Sequence, residues 1–600
     1  MDSDRNTLWA TIFVDELARS GLRSVCIAPG SRSTPLALAF AGHSAIEVQF
    51  LIDERSAAFF ALGKALGNGL PAAVLCTSGT AVANLLPAVL EARHSRVPLI
   101  LLTADRPPEL RQAGANQTID QLKIFSGGVK WFAEAALPEE IPSPLTLRYL
   151  RDLACRAYGF SLQSPRGPVH LNFPFRKPLE PETIDHDMES TGDGRPSEFA
   201  GRPDGEPWTT VHLGTRGPAA DSASLLADLI RKNRRGLIVA GSKAEAGNYI
   251  DPLKALAIES GYPVLADPLS GARFSPMADS DAIICGGYDW YLRTPGLEAE
   301  LVLRFGSLPT SSALEHSLES QTAAIQVGFF DGFDWPDPTH QLSFAFDSEP
   351  ARTCELIVEH LRTEDPPQAD RVWLDSFAAR EALTWNTVTE CLEEEYCEAG
   401  LAADLVSLLP EDSVIFSASS LPIRHLDRFA RPMNKRLHIF SNRGVSGIDG
   451  TLSSAAGVAS SFSRPLVILI GDLAFHHDQT GLLALQKYGL GSTVILINNK
   501  GGGIFHQLPI ARFEPPFNEL FRTPIKVDLK PLVQSYGGRH EAVSGRGEFL
   551  AVLSRKQIDD PFLVIEYQSE ITQLERVQEK IITKLKEELK HGRLDRSEIV

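Results

Sequence analysis

Residues 471–499 read GDLAFHHDQTGLLALQKYGLGSTVILINN. The apolar run Leu466 to Ile470 stops at Gly471-Asp472, and a second run, Thr493 to Ile497, stops at Asn498-Asn499. Apolar runs of this length bounded by turn residues read as buried strands, and DQTGLLALQKYG between them reads as one crossover helix. A right-handed strand–helix–strand unit returns its second strand beside the first, so Asp472 and Asn499 come to neighbouring positions at one edge of a parallel sheet. Two readings of the pair stand at this point. Gly-Asp and Asn-Asn are common turn residues at strand ends. A carboxylate, an amide oxygen and the carbonyls of the Gly501-Gly502-Gly503 turn also make an all-oxygen set of the kind Mg2+ prefers, usually shared with ligand phosphates.

The same grammar repeats outward along the chain. Expected strands at 24–28, 46–52, 72–77 and 98–103 lead into PGSRSTP, DER, SGTAVAN and ADRPPEL. A second group falls at 236–240, 264–266, 282–284 and 301–305, and a third at 413–416, 437–440, 465–470 and 493–497. Strands alternating with helical patterns predict an α/β protein of mostly parallel sheets flanked by helices, with ligands at the carboxyl ends of the strands. Two Pro-, Gly- and acid-rich stretches, 180–207 and 364–370, read as linkers. They divide the chain into domains at 1–180, 208–363 and 371–570, followed by an amphipathic tail at 571–600 read as a solvated surface helix with a frayed end. Residues 79–105 and 450–472 share Gly-Thr, a small-residue helix, Arg, Pro-Leu, an apolar strand and a closing Asp. If that weak likeness is more than coincidence, the first and third domains share one design.

Composition narrows the function classes. With 600 residues, 43% hydrophobic and 22% charged, the chain has material for several cores. A net charge of −18 argues against a nucleic-acid surface, while leaving room for a local arginine cluster that grips small anions. MDSDRNTLW does not read as a secretory signal, no apolar run is long enough to span a membrane, and seven scattered cysteines without CxxC read as reduced thiols. A cytoplasmic enzyme is the expectation. Several motifs are set aside. GLIVAGSKAEAG at 236–247 lacks the Lys-Ser/Thr of a phosphate loop, and no GxGxxG follows a first strand. His476-His477-Asp478 places adjacent side chains about 100° apart on a helix, which reads as a partly exposed pair rather than a metal site.

Four further segments follow expected strands: PGSRSTPLALA (29–39), TADRPPELRQAGANQ (103–117), SSLPIRHLD (419–427) and SNRGVSGIDGTLSSAAGVA (441–459). Each carries an arginine, namely Arg32, Arg106, Arg424 and Arg443. Guanidinium grips carboxylate in a bidentate fork, so four at strand ends suit a site for several carboxylates.

GD followed, one crossover later, by NN resembles the diphosphate–Mg2+ motif of thiamine-diphosphate enzymes, with Leu473 where the superfamily commonly has glycine. PGSRSTPL, TSGTAVANL, LTADRPPELR, GANQ, SNRGVSGIDG and NNKGGGIF together resemble the 2-succinyl-5-enolpyruvyl-6-hydroxy-3-cyclohexene-1-carboxylate synthase family, through the first and third domains. The resemblance implies the three-domain thiamine-diphosphate-enzyme fold and the cofactors thiamine diphosphate and Mg2+, with Mn2+ an alternative. Asp472, Asn499 and the Gly501 carbonyl would bind the metal. Glu54 would be the carboxyl that tautomerises the aminopyrimidine, a role that asks for a largely buried group; without the resemblance it would read as an acid serving a helix start. Arg32, Arg106, Asn116, Gln117, Ser420, Arg424 and Arg443 would line the substrate pocket, Ile504 and Phe505 would wall it, and Ile448 would hold the cofactor bent.

The implied reaction decarboxylates 2-oxoglutarate and adds the succinyl carbanion equivalent to isochorismate in a 1,4 sense, in menaquinone or phylloquinone biosynthesis. In such enzymes the glutamate and the diphosphate site come from different chains, which implies a homodimer or tetramer. The central domain departs from the pattern, with Ser312 where relatives commonly carry lysine. Another thiamine-diphosphate 2-oxoacid decarboxylase or carboligase would share Glu54, Asp472 and Asn499 without needing Arg106 and Arg443. A non-catalytic ligand-binding protein on the same fold would have lost Glu54 or Asp472.

Overall fold

Among the described residues of this computed structural model, eighteen parallel-paired strands form three six-stranded sheets. The structure describes residues 5–181, 197–242, 249–276, 281–294, 296–330, 332, 335–363, 366–555 and 561–590. The first sheet holds β1 (Ser24–Ile27), β2 (Glu47–Phe50), β3 (Ala72–Cys76), β4 (Leu99–Asp105), β5 (Trp131–Glu134) and β6 (Val169–Pro174) in the order β2-β1-β3-β4-β6-β5. The central sheet holds β7 (Gly236–Ala240), β8 (Val264–Ala266), β9 (Ile284–Cys285), β10 (Leu301–Phe305), β11 (Ile325–Phe330) and β12 (Leu342–Asp347), ordered β12-β11-β10-β7-β8-β9. The third holds β13 (Ser413–Ser417), β14 (Leu437–Phe440), β15 (Leu466–Gly471), β16 (Ser492–Asn498), β17 (Arg539–Val543) and β18 (Phe562–Gln568), ordered β14-β13-β15-β16-β18-β17.

The first and third sheets therefore share one topology, but the suspected likeness between 79–105 and 450–472 falls on β4 and β15, which are not equivalent in it: β15 takes the place of β3, and β16 that of β4. The central sheet has the doubly wound order of dinucleotide-binding folds. Of the turn after its first strand, residues 243–248 lie outside those described.

Each of the twelve expected strands is present. Six more, β5, β6, β11, β12, β17 and β18, have no counterpart among the expected runs. β5, β12 and β17 lie at sheet edges with partly exposed residues, so they need no continuous apolar stretch. β6 is wholly buried yet carries His170 and Asn172. Asn172 accepts the Thr103 hydroxyl (2.9 Å) and donates to Asp105 (3.0 Å), while His170 Nε2 lies 2.7 Å from Thr103 Oγ1. With the Thr103 proton given to Asn172, His170 Nε2 is the donor, and the ring is neutral.

Burial pushes the His170 pKa down to about 3 from an ordinary value of 6.5. The unfolded chain takes up this proton below pH 6.5 and the folded chain does not, so stability falls as pH drops through that window. The expected loss is about 2 kcal/mol by pH 5. Comparing the pH dependence of Tm for wild type and His170→Leu checks it: the variant's curve should lack this acid slope, and parallel curves would refute it.

The chain packs as two compact units. One comprises Met1–Gly214, Asn442–Ser463 and His476–Leu490; the other comprises Thr215–Ser441, Arg464–Phe475 and Gly491–Val600. In the first unit, helix Glu54–Asn68 packs along helix Thr451–Ala459 at backbone contact. A Cβ on Gly63 would meet the Ser454 carbonyl at 2.0 Å, and one on Gly457 would meet the Phe60 carbonyl at 2.1 Å. The small residues of both helices are there for this approach. In the second unit, helix Ile571–Lys590 is more than a solvated surface helix. Ile571, Leu574, Val577, Ile581 and Leu585 form a buried stripe in a core shared with Trp385, Val388 and Leu392 of helix Arg371–Glu394. Residues 591–600, most of the linker expected at 180–207, and 364–365 lie outside those described.

Candidate active site

In the second unit, β15 ends at Gly471 and a helix begins at Asp472. The expected single crossover helix is two segments, Asp472–His477 and Gly481–Lys487, broken at a turn. Asp472 is buried; its Oδ2 accepts the Gly501 N–H (2.7 Å) and its Oδ1 accepts the Leu473 N–H (2.8 Å). Burial raises its pKa to about 6, and no Lys, Arg or His forms an ion pair with it among the described residues. Gly501 has φ +127°, and a Cβ there would strike the Arg522 carbonyl at 2.0 Å. The turn after β16 is therefore folded onto Asp472 by a residue that only glycine serves.

Asn499 is buried beside it, and its Nδ2 lies 3.3 Å from each oxygen of Glu398. Glu398 is fully buried and also meets His425 Nε2 at 3.0 Å. Because Nδ2 faces Glu398, Oδ1 of Asn499 points the other way. Glu398 and His425 were absent from the sequence reading, since nothing in the spacing of positions 398, 425 and 499 marks them as neighbours. Ile504 and Phe505 follow in the short helix Gly503–Gln507, both half-buried, with Phe505 edge-on to Phe521. After β13, Ser420 has φ +74°, a strained value for a non-glycine residue, and its carbonyl accepts Arg424 Nη1 (2.7 Å).

The first unit gathers a separate set. Arg32 is buried; its Nη1 donates to the Phe175 carbonyl (2.8 Å) and its Nε is buried without a partner. Burial and the nearby Arg106 charge lower the Arg32 pKa, and burial lowers that of Arg106. Arg106 donates to the Ser78 hydroxyl, and Gln117, at φ +56°, donates from Nε2 to the Ser78 carbonyl (2.9 Å). Two guanidiniums lie within each other's field with the Asp105 carboxylate nearby, and one keeps an unpaired buried edge that an anion could meet. Asn116 is exposed on the same loop.

Glu54 opens its helix, but Asp53 performs the capping, accepting the N–H groups of Arg55 (2.9 Å) and Ser56 (3.4 Å). Glu54 makes no hydrogen bond or ion pair among the described residues, so the helix-start reading passes to its neighbour. It is half-buried in the single chain, where its implied role asks for a largely buried group. Arg443 and Ile448 lie half-buried on the loop 441–450, and Arg443 makes no ion pair or hydrogen bond among the described residues. Asp478 is buried and accepts Ser453 N–H (2.7 Å) and Oγ–H (3.1 Å), which occupies it at the start of helix Thr451–Ala459.

Comparison with known proteins shows what the whole chain is similar to. The thiamine pyrophosphate enzyme N-terminal TPP binding domain matches residues 9–124, the middle domain of thiamine pyrophosphate enzymes 203–417, and the C-terminal TPP binding domain 424–567. A 2-succinyl-5-enolpyruvyl-6-hydroxy-3-cyclohexene-1-carboxylate synthase of Roseiflexus sp. (strain RS-1) is 43% identical over 552 residues, covering 91% of this chain and 92% of its own. One from Halobacterium salinarum (strain ATCC 29341 / DSM 671 / R1) is 43% identical over 580 residues, covering 96% and 98%. The chain belongs to this synthase family.

A member of the synthase family binds thiamine diphosphate, and the third sheet offers a fit for its charged end. Asp472 is a buried carboxyl without a Lys, Arg or His partner among the described residues, Asn499 turns an amide oxygen away from Glu398, and the glycine turn is held against Asp472 through the Gly501 N–H. That chemistry suits a small hard cation carrying a diphosphate. The departure at Ser312 has a plain structural setting. Ser312 is exposed at the first position of helix Ser312–Ser320, and the nearby Arg304 is committed to Asp337 at 2.8 Å.

Proposed function

We propose that this chain decarboxylates 2-oxoglutarate and joins the remaining four-carbon unit to isochorismate in a 1,4-addition. The product is 2-succinyl-5-enolpyruvyl-6-hydroxy-3-cyclohexene-1-carboxylate plus CO2, in menaquinone or phylloquinone biosynthesis. Likeness to the named synthases over more than nine-tenths of the chain carries the reading. The paired guanidiniums of Arg32 and Arg106, one with an unpaired buried edge, suit substrates that bring two carboxylates each.

Thiamine diphosphate, when bound, supplies the electron sink on which a 2-oxoacid loses CO2. Asp472, the Asn499 amide oxygen and the Gly501 carbonyl would hold Mg2+ or Mn2+. Glu54, relieved of capping by Asp53, would exchange a proton with the cofactor's aminopyrimidine. Arg32, Arg106, Arg424 and Arg443, with Asn116, Gln117 and Ser420, grip the substrate carboxylates and hydroxyls. Ile448 props the cofactor, while Ile504 and Phe505 keep water from the reacting carbon.

The half-exposed Glu54 supports a homodimer, or a tetramer of two dimers, in which another subunit completes its apolar surroundings. Seven free, buried cysteines suit a cytoplasmic protein, and among the described residues no helix is long and apolar enough to cross a membrane. The domains divide at 1–180, 208–363 and 371–570, with the tail at 571–600.

Purified protein with thiamine diphosphate, Mg2+, 2-oxoglutarate and isochorismate should consume isochorismate and yield a product retaining its ring plus a succinyl group. Succinic semialdehyde with isochorismate untouched would make the protein a decarboxylase.

A further inference from the structure

Within the first unit, the loop NRGVSGIDG, 442–450, is tied to helix Leu86–Ser95 by a carboxylate that the reaction itself does not use. Gly444 N–H donates to Glu91 Oε1 (2.7 Å) and Val445 N–H to Glu91 Oε2 (2.9 Å). Glu91 lies on helix Leu86–Ser95 and is 1% exposed. Its remaining partner is the Ser95 hydroxyl, and no Lys, Arg or His forms an ion pair with it among the described residues. A Cβ on Gly444 would meet Ser95 Oγ at 2.7 Å and the Glu91 carbonyl at 2.8 Å, so the loop backbone rests directly on this helix.

Two further ties of the loop are local. Asn442 Nδ2 donates to Ser454 Oγ (3.1 Å) and Thr451 Oγ1 to the Ile448 carbonyl (2.9 Å), both within the loop and the helix it enters. Arg443 sits between the Asn442 tie and the Glu91 tie, with a guanidinium that bonds to nothing among the described residues. Its side chain has no hydrogen bond of its own, so the loop backbone sets where that side chain starts and which region it can reach. A buried carboxylate is costly to place unless hydrogen bonds satisfy it. Here both oxygens are satisfied by consecutive amides of a loop that is otherwise half open, with Val445 49% exposed.

We propose that Glu91 is a positioning residue for Arg443, holding the loop backbone so that the guanidinium meets a substrate carboxylate. The inference rests on the reading of Arg443 as a substrate-binding residue. Glu91→Gln keeps the shape but opposes one loop N–H with an NH2 group, releasing one of the two ties. Loss of that tie lets Arg443 drift, and a drift of about 1 Å costs up to about 100-fold.

The test is a double-mutant cycle on the full-length protein loaded with thiamine diphosphate and Mg2+: wild type, Glu91→Gln, Arg443→Ala and the double variant, with kcat and KM for 2-oxoglutarate and isochorismate. Glu91→Gln should raise KM for one substrate by about tenfold with a smaller change in kcat. The double variant should be no worse than Arg443→Ala, because Glu91 acts only through that arginine. Multiplying effects, or an unchanged KM in Glu91→Gln, overturn the inference while leaving the Arg443 reading intact. A fully active Arg443→Ala overturns that reading, and the inference with it. Should Glu91→Gln not fold, Glu91→Asp keeps the charge but falls short of the loop, and it serves the same cycle.

Discussion

Glu54→Gln is expected to lower kcat by about 100- to 10,000-fold, the range for removing a general acid–base group. The substitution changes little else. Glu54 is half-buried and makes no hydrogen bond among the described residues, and Asp53 satisfies the helix start. Unfolding measured without cofactor should therefore change little, since within the chain the side chain has no hydrogen-bond partner to lose. Glutamine keeps the length and the hydrogen-bonding shape of the side chain. What it cannot do is give up and retake a proton opposite the aminopyrimidine. Steady-state rates at saturating cofactor, set beside thermal unfolding curves, separate the two effects. Activity within about tenfold of wild type would remove Glu54 from the proton transfer.

Asp472→Ala is expected to weaken divalent-dependent cofactor retention by at least about 100-fold, since outer-shell partners of metal ligands alone are worth 10- to 100-fold. Two losses coincide. The carboxylate proposed to hold the metal goes, and the Gly501 N–H loses the oxygen that folds the glycine turn onto β15. The unsatisfied amide adds a stability cost of about 1–3 kcal/mol, so Tm should fall as well. Thiamine diphosphate content after desalting, measured across a Mg2+ series, reads the first loss independently of turnover. Asp472→Asn keeps an oxygen for Gly501, and should recover much of the stability but little of the metal affinity. Unchanged cofactor retention in Asp472→Ala would place the diphosphate elsewhere in the protein.

The sequence by itself determined the α/β class, twelve of the strands and the motif ends of the third sheet. Those features are local: apolar runs of strand length, turn residues at their ends, and a crossover rule that makes neighbours of Asp472 and Asn499. The remaining strands hid for physical reasons. Edge strands such as β12 and β17 need no unbroken apolar run, and β6 buries His170 and Asn172 by pairing them with Thr103 and Asp105.

Only the tertiary structure decided who holds the functional groups in place. Glu398 turns the Asn499 amide, Asp53 frees Glu54 from capping, Ser78 gathers Arg106 and Gln117, and Glu91 anchors the loop of Arg443. Apart from Asp53, these supports lie tens to hundreds of positions from what they hold. A single chain of letters carries the period of a helix or strand, but it has no periodicity that links a carboxylate at 91 to two amides at 444 and 445. Those links come into being when the chain packs, and the burial of each carboxylate then makes its few hydrogen bonds obligatory.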